Sequence, residues 1–266
     1  MSRARNAAPA EAPAASQRGP TGSSAERSLR LLALLADAGR ALSLADLAAR
    51  LALPKGTAHR ICLQLLEGGY LSRDVDERLF GVGPALRQLA FSTLNHGVVR
   101  GLRHDVLAQL VEAISETCNF TTQDGTEVLY LDRVEAKWPL RLTLDVGSHV
   151  PLHCTASGKL FLAMMPADER EAVIERIALP RMTAQTIVTK KALRAECEAI
   201  AAAGHSCDRE EFIAGLIAVA VPVGPPGGPV RAAIAVHAPT ARMSLKQALA
   251  KLAALKAAAA KMRELV

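Results

Sequence analysis

The spacing of apolar residues in the first part of the chain predicts two helices with well-defined beginnings. Ser23 and Glu26 form a capping box, and apolar residues then recur at helical intervals until Gly39. Ser43 and Asp46 form a second capping box, which opens a short helix. Both helices are amphipathic and therefore need a partner to cover their apolar faces.

A third helix and a hairpin follow directly. Pro54 suits the first turn of this helix, which extends to Glu67 and stops at a pair of glycines. Two extended runs, 70–73 and 79–82, are joined by the polar link 74–77 and are expected to pair as a β-hairpin. Three helices and a hairpin in this order predict a winged helix-turn-helix domain.

Beyond residue 84 the pattern predicts a second domain of mixed type. A linker helix begins at Pro84 and is followed by a second helical piece, whose apolar face carries Leu102, Val106, Leu110 and Ile114. After Cys118 the spacing of apolar residues changes from that of a helix towards every second position, which is typical of a strand. Strands are predicted over 128–131, 140–146, 216–223 and 230–237, helices over 155–165, 168–178 and 190–203, and a last helix after Ser244. This order predicts an α+β domain with a mainly antiparallel sheet.

Composition narrows the class of protein. The chain has 266 residues, enough for two domains, and 50% of them are hydrophobic. The longest apolar stretch, Phe212 to Val223, is too short to span a membrane. Residues 1–22 are rich in Ala and Pro without the apolar core of a secretory signal, so we expect a disordered tail and a cytoplasmic protein. The five cysteines contain no CxxC pair and are expected to be free thiols.

The third helix has the chemistry of a DNA-reading element. Its apolar face carries Ala58, Ile61, Leu65 and Leu66, and no carboxylate precedes Glu67. The opposite face offers hydrogen-bond donors and one small residue: Lys55, Gly56, Thr57, His59, Arg60 and Gln64. Further candidate DNA contacts are Ser43 and, on the hairpin, Arg73 and Arg78. The net charge of +6 is spread along the chain and adds little support for DNA binding. The simpler alternative is a small helical domain whose polar helix only faces water.

Several stretches, in the correct order, resemble the IclR family of bacterial transcription regulators. They are 23–32 (SSAERSLRLL), 53–60 (LPKGTAHR), 69–71 (GYL), 151–159 (PLHCTASGK) and 204–211 (GHSCDREE). The resemblance covers nearly everything after residue 22. Gly56 departs from it, because the family usually has Ser at this position; the missing hydroxyl would alter affinity or base preference without removing the binding mode.

The resemblance implies a plan for the whole chain. A winged helix-turn-helix domain at 23–84 is followed by a linker helix at 85–98 and by an effector-binding domain at 99–266 with a sheet related to GAF-type sensors. The protein is then a sequence-specific transcriptional regulator that binds double-stranded operator DNA. Because one recognition helix contacts too few bases, we expect a homodimer or a dimer of dimers, that is, a homotetramer.

The effector site implied by the resemblance lies in the second domain. Carried over position by position, the contacts are Leu142, Ala156, Ser157, Asp208, Leu216, Ala218, Ala235 and His237. The residues themselves add Thr155 and Gly158, because the small residues 155–158 begin a helix whose N–H groups suit an anion. With alanines at two of these positions and His237 at a third, we expect a small, partly aromatic or hydrophobic organic acid.

Two other classes of function compete with this interpretation. The residues around Ser157 lack the remainder of a Walker loop or a nucleophile elbow, so no enzymatic activity, catalytic residue or cofactor is expected. His149, His153 and Cys154, together with His205, Cys207 and Asp208, are side chains that zinc accepts, but no metal site is assigned. The alternative function is a metal-responsive or metabolite-binding signalling protein whose N-terminal module docks another protein.

Overall fold

The computed structural model describes residues 23–74, 78–94, 97–138, 144–225, 227–228 and 230–265. It divides the chain between Ala90 and Phe91 into two compact units. The expected tail at 1–22 lies outside the described residues, as does Leu142. The division falls within the predicted linker helix, while the exact domain limits at 84 and 98 stay a prediction.

The first unit contains the predicted three helices and hairpin. Its elements are α1 (Ser24–Ala38), β1 (Leu42–Ser43), α2 (Leu44–Arg50), α3 (Lys55–Glu67), β2 (Leu71–Arg73) and β3 (Leu79–Val82). The Glu26 and Asp46 N–H groups donate to the hydroxyls of Ser23 and Ser43, so both predicted caps are confirmed. Pro54 is the N-cap of α3 and not its first helical residue.

A small antiparallel sheet completes this unit, and its third strand is missing from the sequence-based prediction. The strand order is β1-β3-β2, in which the two-residue strand β1 covers the outer edge of the hairpin. The strand β1 is too short for an alternating pattern to reveal it. Gly83 ends the hairpin, and a Cβ there would lie 2.2 Å from the carbonyl oxygen of Gly69, so no larger residue fits.

The second unit is built on a six-stranded antiparallel sheet of order β6-β5-β4-β9-β8-β7. The helix α4 (Pro84–Leu94) leads into it. The other elements are α5 (Gly97–Ile114), β4 (Thr117–Asp124), β5 (Glu127–Val134), β6 (His149–Pro151), α6 (Ala156–Met164), α7 (Ala167–Arg176), α8 (Lys190–Ala203), β7 (Ser206–Arg209), β8 (Leu216–Val223), β9 (Ala232–Pro239), α9 (Leu245–Leu249) and α10 (Leu252–Arg263).

Each face of this sheet is covered by helices, which gives the unit two separate cores. Val219 and Ile234 pack on one face with residues of α5 and α10. Ala218, Ala220 and Ala235 pack on the other face with residues of α6 and α8. This alternation follows from the two-residue period of a strand. The second face therefore carries unusually small side chains where it meets α6.

Several predictions about the second unit need correction. Leu102 is 46% exposed, whereas Arg103 and Leu107 are buried in the core. The guanidinium of Arg103 lies over the Phe120 ring at 5.4 Å, a cation–π contact that offsets part of the cost of burying this charge. The last helix is divided into α9 and α10. In the predicted strand 140–146, residues 144–146 are described and do not form a strand, and β6 is the strand that pairs with the edge of β5.

The described residues also bear on two expectations from composition. None of their helices is both long and apolar enough to cross a membrane. All five cysteines are buried free thiols, as predicted.

Candidate DNA-binding helix and effector site

The helix α3 presents its polar face to solvent, as the sequence predicts. Ala58, Ile61 and Cys62 are buried against the other helices of the unit. On the opposite side of the helix, Thr57 is half-buried, and the exposed residues are Lys55, Gly56, His59, Arg60 and Gln64. The apolar face therefore anchors the helix while its hydrogen-bond donors stay accessible.

The first turn of α3 is open to an incoming anion. Pro54 is the N-cap and provides no side-chain hydrogen bond to the first N–H groups of the helix. A Cβ at Gly56 would meet no atom within 4 Å, so packing within this chain does not require glycine there. A phosphate could therefore approach this turn closely, in the positive end of the helix dipole.

The three other DNA-binding candidates differ in their surroundings. Ser43 is engaged in capping α2, since its hydroxyl also donates to the Asp46 carboxylate at 2.8 Å. Arg73 is exposed at the end of β2, with its guanidinium 5.4 Å from the centre of the Phe80 ring. Arg78 is exposed just before β3. The hairpin therefore presents two cations, whereas Ser43 has a structural role that the sequence also indicated.

In the second unit, the N-terminus of α6 is packed tightly against the turn that precedes it. Thr155 caps the helix: its hydroxyl accepts from the Gly158 N–H at 3.1 Å and donates to the Pro151 carbonyl at 2.7 Å. A Cβ at Gly158 would lie 2.3 Å from the Leu152 carbonyl oxygen. Ala156 and Ser157 are buried as well. These residues lie together as predicted, but inside the unit and not on an exposed helix end.

The remaining effector candidates lie on the sheet face that α6 covers. Asp208 on β7 pairs with Ala218 on β8, which pairs with His237 on β9. Leu216 and Ala235 have the same strand parity as Ala218 and His237, so they point to the same side. The structure thus brings all of the described effector candidates to one buried region.

Burial changes the ionisation of two of these residues. The Asp208 carboxylate accepts from the N–H groups of Glu211 and Phe212 at 2.7 and 3.4 Å. Burial outweighs these bonds and raises the pKa of Asp208 to about 7. For His237, burial and, to a smaller extent, the charge of Arg133 lower the pKa to about 3, so the imidazole is neutral.

An ion-pair network holds α6 in position behind this region. The Lys159 ammonium is fully buried and lies 3.0 Å from a carboxylate oxygen of Glu196 and 2.5 Å from one of Glu211. Arg209 also pairs with Glu196, at 2.7 Å. The network joins α6 to α8 and to the segment that follows Asp208. Lys159 lies in the stretch 151–159 that resembles the IclR family, but the sequence does not reveal its ion-pair role, because its partners lie far away in the chain.

The comparisons with known proteins cover both units. Residues 91–264 match the family model for the bacterial transcriptional regulator IclR C-terminal domain, and residues 24–75 match the IclR helix-turn-helix domain. The chain belongs to the IclR family. It is 42% identical over 238 residues to the probable transcriptional regulator SauR of Cupriavidus necator, covering 90% of this chain and 94% of the relative.

More distant relatives agree with this assignment. The chain is 30% identical to the HTH-type transcriptional repressor AllR of Klebsiella pneumoniae, over 82% of this chain and 80% of the relative. Among solved structures, an IclR homolog from Microbacterium hydrocarbonoxydans complexed with 4-hydroxybenzoate aligns with a TM-score of 0.56 and 25% identity, over 91% and 98% of the two chains. The IclR of Thermotoga maritima aligns with a TM-score of 0.61 and 24% identity over 90% and 97%, which shows the fold.

The protein is therefore a DNA-binding transcriptional regulator of the IclR family. Its relatives are transcriptional regulators, which are not enzymes. The three histidines that could have served as metal ligands have other partners: His149 bonds to Asp124, His153 to the Pro180 carbonyl and His205 to the Ala203 carbonyl. Among the described residues, no group of three or more such side chains is arranged to hold a metal ion.

Two polar residues of the IclR-type sheet, Asn119 and Ser206, were missed by the sequence analysis, whereas His237 was among its effector candidates. Asn119, Ser206 and His237 each have a buried side-chain atom, Nδ2, Oγ and Nδ1 respectively, without a hydrogen-bond partner in the described part of the chain. Asn119 pairs with Ala235 and Ser206 with Ala220, so both point towards α6, as His237 does. Asn119 and Ser206 occur in runs that read as ordinary strand sequence, and only the register reveals that they face this region.

A surface cavity of about 210 Å³ lies elsewhere in the second unit. It is lined by residues of α10 and the end of β8, among them Lys256, Arg263 and Val221. None of the effector candidates borders it. We give more weight to the buried region beside α6, because unpaired buried polar atoms are costly unless a ligand or water pairs with them.

Proposed function

We propose that this regulator binds its operator sequence-selectively through α3, and that a small organic acid bound beside α6 controls that binding. The observation that carries the first part is the exposed donor face of α3, which has no carboxylate before Glu67 and an open first turn. Such a face complements the phosphates and base edges of the major groove.

The candidate DNA contacts divide by chemistry. Lys55 and Thr57 lie in the first turn of α3 and suit a phosphate. His59, Arg60 and Gln64 lie further along the same face and suit base edges. Gly56 permits close approach of the backbone. Arg73 and Arg78 on the hairpin suit flanking phosphates or the minor groove, and Ser43 at the start of α2 suits a backbone contact.

The effector proposal rests on the clustering of buried polar groups under α6. Thr155, Ala156, Ser157 and Gly158 form one side, and Asp208, Leu216, Ala218, Ala235 and His237 form the sheet side. Leu142 is proposed as an additional wall residue. The 4-hydroxybenzoate complex of a relative supports a small organic acid as the class of ligand.

We further propose a homodimer, or a dimer of dimers, acting in the cytoplasm. Paired recognition helices would read two half-sites, and effector binding would change their spacing or orientation. The free energy by which the effector shifts the equilibrium between the two arrangements cannot exceed the difference between its binding free energies for them.

The test is fluorescence anisotropy with DNA from upstream of the gene and with a scrambled duplex of the same composition. We expect tighter binding to the upstream DNA and a steep loss of affinity with salt, because phosphate contacts release counterions. Equal affinity for both duplexes would contradict the proposal. A thermal-shift screen of small organic acids then identifies effectors, since a ligand of the folded state raises Tm.

A further inference from the structure

The buried sheet face under α6 contains a cluster of three polar side chains from β4, β5 and β9. Asn119 is 0% exposed, His237 is 8% exposed, and the side chain of Arg133 is 6% exposed. His237 pairs with Thr117, and Asn119 is two residues further along the same strand, so the two side chains are diagonal neighbours on one face. Arg133 is the register partner of Asn119 on β5.

Hydrogen bonding determines which atoms of this cluster point at a ligand. Arg133 Nη1 donates to Asn119 Oδ1 at 2.9 Å. Because a guanidinium has only donors, the amide of Asn119 must turn its oxygen to Arg133 and its NH₂ away. Within this cluster, that Nδ2 group and His237 Nδ1 are buried and have no hydrogen-bond partner in the described part of the chain. Asn119 therefore offers donors, and the neutral imidazole can offer one more.

The charge around these donors favours an anion. The Arg133 guanidinium places a positive charge beside them, and Glu135 contacts its Nε at 3.3 Å. Asp208, an acid on the same sheet face, is two strands away from His237 in the same row. The N-terminus of α6 competes poorly for the anion, because Thr155 already holds the Gly158 N–H.

We propose that Asn119 and His237 donate hydrogen bonds to an anionic oxygen of the effector beside the charge of Arg133, which makes these residues the determinants of effector class. The proposal rests on the proposed effector control and places the acidic group at β4, β5 and β9. The ligand chemistry is an anionic oxygen of a carboxylate or of a tetrahedral sulfur or phosphorus oxyanion.

The experiment uses the full chain and simple anions as probes. Thermal shift and calorimetry are measured with sodium acetate, sodium sulfate and sodium phosphate, against sodium chloride at equal ionic strength. We expect at least one probe to bind more strongly than chloride. Comparing the binding of acetate with that of sulfate and phosphate then shows whether the site prefers a planar or a tetrahedral anionic group. If none of them stabilises the wild-type protein beyond chloride, the proposal is wrong.

Variants then locate the binding. Asn119→Leu and His237→Leu should each weaken the probe about tenfold or more, because each removes a charge-assisted hydrogen bond. His237→Gln keeps a donor and should retain most of the binding. Ser206→Ala is the matched control, since Ser206 Oγ is equally buried and unpaired on the same face but lies about three strand spacings, roughly 14 Å, from Asn119.

The outcomes separate this proposal from the proposed function. Unchanged binding in both Leu variants, or equal loss in Ser206→Ala, would refute the anion cluster. Anisotropy with operator DNA is measured on the same proteins, and circular dichroism confirms that they are folded. If wild-type protein binds the probe at this cluster but no small organic acid changes its DNA affinity, effector control fails while the anion site stands.

Discussion

Replacing Asp208 with Asn tests the electrostatics of the buried region most directly. Burial raises the pKa of this carboxyl from 3.8 to about 7. Between these values the folded state holds a proton that the unfolded state releases, so stability is highest at low pH and is lost as pH rises towards 7. A difference of about three pH units corresponds to about 4 kcal/mol as an upper bound.

Asp208→Asn should remove this pH-dependent part of the free energy of unfolding and keep the local geometry. The amide oxygen can still accept from the N–H groups of Glu211 and Phe212. The free energy of unfolding of the variant minus that of the wild type should therefore rise by about 2–3 kcal/mol between pH 5 and pH 8. Taking the difference cancels groups that titrate alike in both proteins.

Urea unfolding of both proteins across this pH range measures the difference. Asp105→Asn, which removes an exposed carboxylate from α5, controls for the change in net charge. A difference that stays flat from pH 5 to pH 8 would show that Asp208 is ionised in the folded state. The effect of burial on the pKa of Asp208 would then be offset by a further favourable contact of the carboxylate.

The remaining predictions concern the two sites and the ion pairs behind the effector region. Arg60→Ala should cost about 1–3 kcal/mol in operator binding and relax selectivity. Lys55→Ala should weaken binding to the operator and to the scrambled duplex alike and reduce the salt dependence of binding. Anisotropy measures both variants, and equal effects of the two substitutions on selectivity would remove the distinction between base and phosphate contacts. Gly56→Ser should fold normally, because its Cβ meets open space, and should change operator affinity without abolishing binding in the same assay. Ser157 is buried, so the smaller change Ser157→Val should leave basal DNA affinity intact and weaken the effector response, and an unchanged response would place the effector elsewhere. Lys159→Met should cost about 3–5 kcal/mol in urea unfolding, because the buried Glu211 then keeps only the longer contact to Arg209, at 3.7 Å, and a loss below 1 kcal/mol would show that the Lys159 pair is dispensable.

Local sequence was sufficient for most elements of the first unit. Capping hydroxyls at Ser23 and Ser43 and the spacing of apolar residues act within a few positions of each other. The same locality revealed the donor face of α3, since a helix brings residues three and four apart to one side. Sequence alone therefore predicted α3 and its chemistry, together with the mixed order of strands and helices in the second unit.

Tertiary structure alone decided which polar residues meet inside the second unit. Asn119, Ser206 and His237 come from three strands that pair across long stretches of chain, and their common face depends on register. Lys159 finds its carboxylates on α8 and after β7 for the same reason. Burial of Arg103 in place of Leu102 shows the limit of periodicity, because both continue rows of four-residue spacing and the structure places Arg103, not Leu102, against Phe120. Long-range pairing has no signature in local spacing, and the chemistry of a buried site depends on it.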